Sequence, residues 1–302
     1  MSGAFLNSFA LLALAIPSQV IWSYSVFGVV FAIGLLTIYL RGDWQPARAA
    51  DKLILLGPLF YAAPLAGFGT EHFTISEIIA SLIPAWIHWH QFWTYLIGAC
   101  FIVAALSLVT GVQTRLSATL LAVNFFLFVA LMDLPAWAEN PRDRFGLALA
   151  LRELSFGAGP LALAASLTEP SNKRLANILA ALARSCIAVA VLVYSFEQFR
   201  HGNYVPGIPL KRMTPEWIPG HALWTYLAAA VYAVAGALLL VGKKARTAAT
   251  WVGLTVLFVE LVVYVPIAVI DRATLVGFNY MADTLMFCGT VLLLAGAMPH
   301  EK

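Results

Sequence analysis

Pro84-Ala85-Trp86-Ile87, followed by His90 and Trp93-Thr94-Tyr95-Leu96, returns as Pro215-Glu216-Trp217-Ile218, followed by His221 and Trp224-Thr225-Tyr226-Leu227. The offset is 131 (84 to 215, 93 to 224), and it persists at Gly111/Gly242, Arg115/Arg246, Pro135/Pro266 and Gly146/Gly277. Self-similarity at one fixed offset marks a duplicated structural unit. Whatever fold one copy builds, the chain builds twice.

Composition settles what that unit is made for. Of the 302 residues 61% are hydrophobic and only 11% charged, and the mean hydropathy is +0.85. A soluble domain carries about a quarter charged residues and cannot hide this much apolar surface from water. A bilayer accepts it. The formal net charge of +3 is small, and the basic residues lie in short scattered loops, which excludes a nucleic-acid surface. The cysteines, Cys100, Cys186 and Cys288, each stand in an apolar run. An odd count in such surroundings reads as small buried hydrophobes, not as a disulfide framework.

The apolar runs resolve into spans near 21–40, 53–68, 93–110, 116–134, 145–165, 178–196, 222–241, 247–265 and 278–297. A bilayer core asks for about 17–25 residues per helix, and only helices satisfy their own backbone hydrogen bonds inside it. The stretch 5–17 is shorter, is interrupted by Pro17 and has no Lys or Arg before it. It is expected to lie at the interface or half-buried, not to be removed as a signal. A spanning tenth helix is the alternative. The fold expected is an all-α polytopic helical membrane protein: an N-terminal segment and extra span in 1–51, then four-helix repeats in 52–167 and 178–298. The polar, Pro-containing loop at 168–174 joins them.

Charge fixes an expected orientation. Arg41, Arg48 and Lys52, then Arg115, then Lys173, Arg174 and Arg184, then Lys243, Lys244 and Arg246 fall in alternate loops. The positive-inside rule places these loops in the cytoplasm, and the chain in a cytoplasmic (inner) membrane. The opposite loops hold His72, His88, His90, His201 and His221, with Trp86, Trp89 and Trp217 at an interfacial level. Each copy ends its first helix on a glutamate (Glu71, Glu197) and opens the next on a histidine (His90, His221). These four are the candidate catalytic residues, for proton or ligand handling on the non-cytoplasmic face. The alternative is that each glutamate pins the cap of its own copy. Carboxylate and imidazole also ligate metals. His72, His88, His90 and His201 are the candidates for that, although no tight ligand spacing such as His-Glu-x-x-His occurs.

Trp93/Tyr95 and Trp224/Tyr226 are candidates to flank a flat ligand such as a quinone, or else interface anchors. Among the charges that fall within spans, Arg152, Glu260 and Asp283 stand out. Asp283 is the repeat counterpart of Arg152, so a pair between the copies would neutralise both; the alternative is a local bond from Arg152 to Glu153. Glu260 has Val129 as its counterpart, so it is no requirement of the scaffold. Asp133 reads as a solvated helix end.

Glu197-Gln198-Phe199, His201-Gly202, Val205-Pro206-Gly207-Ile208-Pro209-Leu210, Thr214-Pro215-Glu216-Trp217-Ile218-Pro219-Gly220-His221 and Lys243-Lys244-Ala245-Arg246 together resemble the DoxX-like family of four-helix membrane proteins. The first copy is a divergent version, with Gln198 where it has His72 and without the Pro-Gly-x-Pro-Leu segment. The resemblance extends to the small membrane subunit of thiosulfate:quinone oxidoreductase, which implies a redox component of the membrane linked to the quinone pool. Two other functions compete with it: a non-enzymatic accessory or scaffold subunit among partner subunits, and a small-solute transporter working around Glu260 and Asp283. The lipid bilayer is the one partner common to all three.

Overall fold

The computed structural model describes residues 16–45, 47, 49–205 and 213–300. The interfacial reading of 5–17 therefore falls almost wholly outside the described residues. Among these residues nine helices are long and apolar enough to cross a membrane. Among the described residues no strand forms; one isolated bridge joins Tyr204 and Met213. The protein is all-α, with the helix pattern of a multi-pass membrane protein.

The spans are α1 (Ser18–Arg41), α2 (Gly57–Thr74), α3 (His90–Thr110), α4 (Thr114–Phe128), α5 (Arg144–Ser166), α6 (Lys173–Arg200), α7 (His221–Val241), α8 (Ala245–Val259) and α9 (Leu275–Ala297). After α4 the chain widens into a π turn, Val129–Asp133, and then resumes α-helical geometry over Leu134–Glu139. After α8 it does the same at Glu260–Tyr264 and Val265–Ile270. Each of these bounds, from α3 and α7 onward, recurs at the offset of 131. Ahead of them the loop 201–220 is five residues longer than 75–89, so Glu71 corresponds to Glu197.

The ends of the helices follow from local chemistry. Gly111 and Gly242 close α3 and α7 in the left-handed region, at φ 75° and 72°. Their N–H groups return to Ser107 O and Leu238 O, a turn that a residue with a Cβ adopts only at a cost. Asp143 and Thr274, again 131 apart, accept from Phe145 N and Gly277 N and start α5 and α9.

The packing is reciprocal. α5 and α9 lie against each other at the centre, α4 packs on α5, and α8 packs on α9. The first helix of each copy then crosses over: α2 packs on α9, and α6 on α5. Two five-helix rings result, α2-α3-α4-α5-α9 and α6-α7-α8-α9-α5, with the central pair shared. Tyr61 Oη donates to Phe156 O (2.8 Å) and Tyr194 Oη to Ala148 O (3.0 Å), tying α2 and α6 to α5. α1 lies outside the first ring against α2 and α3, and Arg41 Nη2 donates to Thr110 O at the end of α3 at 2.6 Å. Leu36, Val103, Leu120, Leu182, Val234 and Leu261 face outward, as a lipid environment allows.

Candidate functional site

The first ring is not filled. Its five helices and the loop 75–89 enclose a cavity of about 650 Å³. Phe68, Phe101, Phe125, Phe128 and Phe156, from α2, α3, α4 and α5, form its aromatic wall. Leu82 and Trp86 from the loop stand at the exposed end, and Trp93 enters from the first turn of α3. At the buried end polar groups converge: Glu71 and His72 from α2, Asn124 from α4, Arg152 and Glu153 from α5, and Asn279 and Asp283 from α9. The second copy thus lends two residues to the first copy's cavity, because α9 belongs to both rings.

Arg152 organises this end. Its Nη1 donates to Asp283 Oδ2 at 2.6 Å and its Nη2 to Glu153 Oε1 at 2.7 Å. The pair between copies and the local pair both form, and the cation also lies 5.8 Å from the Phe156 ring. Ions taken out of water need such partners, since an unpaired one costs several kcal/mol, on the order of 3–5. Glu71 lacks one. It is 6% exposed, and its Oε1 has no hydrogen bond among the described residues, as is true of Asn124 Nδ2 and Asn279 Oδ1. Buried polar atoms rarely stay unpaired, and each such group asks for an explanation. His72 donates from Nδ1 to Phe68 O (2.8 Å) and lies edge-on to Phe101, which leaves Nε2 as the ring's remaining polar atom.

The second ring carries a packed apolar cluster at the corresponding level. In the described parts of the longer loop, Val205 (1% exposed) and Ile218 pack with Val259, Val263, Tyr264 and Ile267. Thr225 Oγ1 donates to Tyr204 O at 2.9 Å and Thr214 N to Asn203 O at 3.0 Å, holding the loop down. Glu197 is engaged there, 3.3 Å from Arg144 Nε and 3.6 Å from His201 Nε2. Arg144 in turn lies over the Tyr204 ring. Gln198, buried, stands in the place of His72.

The residues singled out in the sequence therefore divide. Glu71, His72, Trp93, Arg152 and Asp283 line the cavity. His90 and His221 open α3 and α7, half-buried and outside the lining. Tyr95 stacks on Phe73 and Tyr226 on Phe199, at 5.7 and 6.2 Å between rings. Trp224 donates to Pro219 O, as Trp93 does to His88 O. His88 is exposed and His201 belongs to the second copy. Among the described residues no three His, Cys, Asp or Glu side chains are placed to hold a metal ion. Glu260, 2% exposed in the second π turn, has neither oxygen hydrogen-bonded among the described residues, and it is not part of the cavity.

Two readings need correction. Asp133 is not a solvated helix end, because the helix continues through the π turn to Glu139 and buries its Oδ2. Cys100 is exposed on the outer face of α3; only Cys288 is fully buried. Asn124 and Asn279 were missed. An amide inside an apolar run was the signal, since polar groups within a span mark a lined cavity or a helix contact. No family model, characterised protein or solved structure matches the chain.

Proposed function

We propose that the chain is an integral membrane component of a redox system and holds one quinone-class ligand in the first copy's cavity. The observation that carries this is the pairing of an aromatic, apolar slot with unpartnered polar atoms at its buried end. A quinone head is flat and apolar across its faces and polar only at two oxygens, which suits ring walls and a few convergent donors and acceptors. Reduction of a quinone to the quinol takes two electrons and two protons. Glu71 and His72 supply or receive the protons at the head, while a partner component exchanges the electrons. The DoxX-like resemblance supports the same reading. The basic loops support a cytoplasmic membrane with the cavity's exposed end on the non-cytoplasmic side.

The test is binding. Purified chain in detergent is titrated with a short-chain quinone, read as quenching of Trp86 and Trp93 fluorescence. E71Q and H72A should each weaken binding about tenfold, the scale of one lost buried hydrogen bond. E197Q should leave it unchanged. If E71Q and H72A, melting like the parent, bind as tightly, the assignment is wrong and a scaffold role gains.

A further inference from the structure

A second site of different chemistry lies toward the other end of the second copy. There α7 and α8 leave an open groove of about 480 Å³, lined by Ala230, Val231, Val234, Leu238, Thr247 and Trp251. Its lining is almost wholly apolar, and Val234 and Trp251 are more than half exposed. The loop that joins these two helices carries Lys243 and Lys244, both exposed. Leu238 and Thr247, the groove residues nearest that loop, each lie about one helical turn from it. The neighbouring cations have partners: Arg246 bonds Asp51 Oδ1, Ala295 O and Met298 O, and Arg184 bonds Leu239 O and Leu240 O. Lys243 and Lys244 form no ion pair or hydrogen bond through their side chains among the described residues.

We infer that this groove binds an anionic phospholipid, its acyl chain along α7 and α8 and its phosphate at Lys243 and Lys244. An apolar channel on a lipid-facing surface takes the hydrocarbon that surrounds it, and the cation pair at its end selects the headgroup. The first copy provides the contrast. Val112 and Gln113 occupy the positions of Lys243 and Lys244, and Ser107 Oγ, in place of Leu238, donates to Val112 O and closes that loop on itself. Gln113 and Lys244 share the left-handed conformation, at φ 53° and 48°. The first copy's residues therefore fit the second copy's loop, and K243V/K244Q is a substitution this fold already accommodates.

The experiment is native mass spectrometry of the full chain in detergent, titrated with phosphatidylglycerol or with phosphatidylcholine of the same acyl chains. The parent should bind phosphatidylglycerol about tenfold more tightly. K243V/K244Q should bring the two lipids level, and V234W, which fills the groove from an exposed position, should weaken phosphatidylglycerol binding with both lysines intact. Equal binding of the two lipids by the parent would overturn the inference, as would a preference that survives K243V/K244Q. So would capture of inorganic phosphate at the same concentrations, because the groove would then contribute nothing.

Discussion

Arg152 shows how much a single side chain carries here. It neutralises Asp283 across the two copies and Glu153 on its own helix, at 2.6 and 2.7 Å. Its loss strands two carboxylates in the interior, whereas the loss of Asp283 leaves the bond to Glu153. R152L should therefore destabilise the protein by about 3–5 kcal/mol and D283N by clearly less, read as thermal unfolding in detergent. The exchange R152D/D283R should recover part of the loss, because the two positions are equivalent in the duplicated fold. Equal melting of R152L and D283N would contradict this account. The pairing was legible in the sequence, since two intramembrane charges of opposite sign fell at one repeat position. The unpaired Oε1 of Glu71 was not, because which helix faces it depends on the crossing of α2 onto α9. Glu260 was legible as an anomaly, since Val129 is its repeat counterpart.

At the scale of elements, the spans could be read because an apolar run of about 20 residues has no other stable form in a bilayer. The two π turns could not. An extra residue per turn leaves no mark on hydropathy; its trace is the proline that follows each, Pro135 and Pro266. A proline lacks the N–H that a regular helix needs, so the widened turn stands where the ladder is already broken. The inward packing of Val205 and Ile218 was equally hidden, because hydropathy does not say which of the loop's apolar residues, Tyr204, Ile208, Leu210 and Trp217 among them, turn inward. Helix contact is sharpest at Gly289 of α9, where a methyl group would collide with the backbone of Tyr61 on α2. Gly28 of α1 has open space around its Cα. G289A should cost about 1–3 kcal/mol through overpacking, and G28A should be neutral or slightly stabilising; thermal melts of the two would show it. A G289A protein as stable as the parent would mean that α2 and α9 are not packed so closely.

For the whole molecule, duplication supplies a scaffold and divergence supplies the site. The shared central pair makes the two rings interdependent, so the first copy's cavity borrows Asn279 and Asp283 from the second and is incomplete without it. In the second ring Val205 and Ile218 pack against the end of α8 and its π turn instead. The most direct measurement is photolabelling of the purified chain with an azidoquinone, followed by peptide mapping with and without unlabelled quinone as competitor. Label should map to residues 79–97 and 124–132, be lost on competition, and reach at most one per chain, with none at 213–232. Competed label divided equally between the copies, or no competed label at all, would contradict a single ligand site in the first ring.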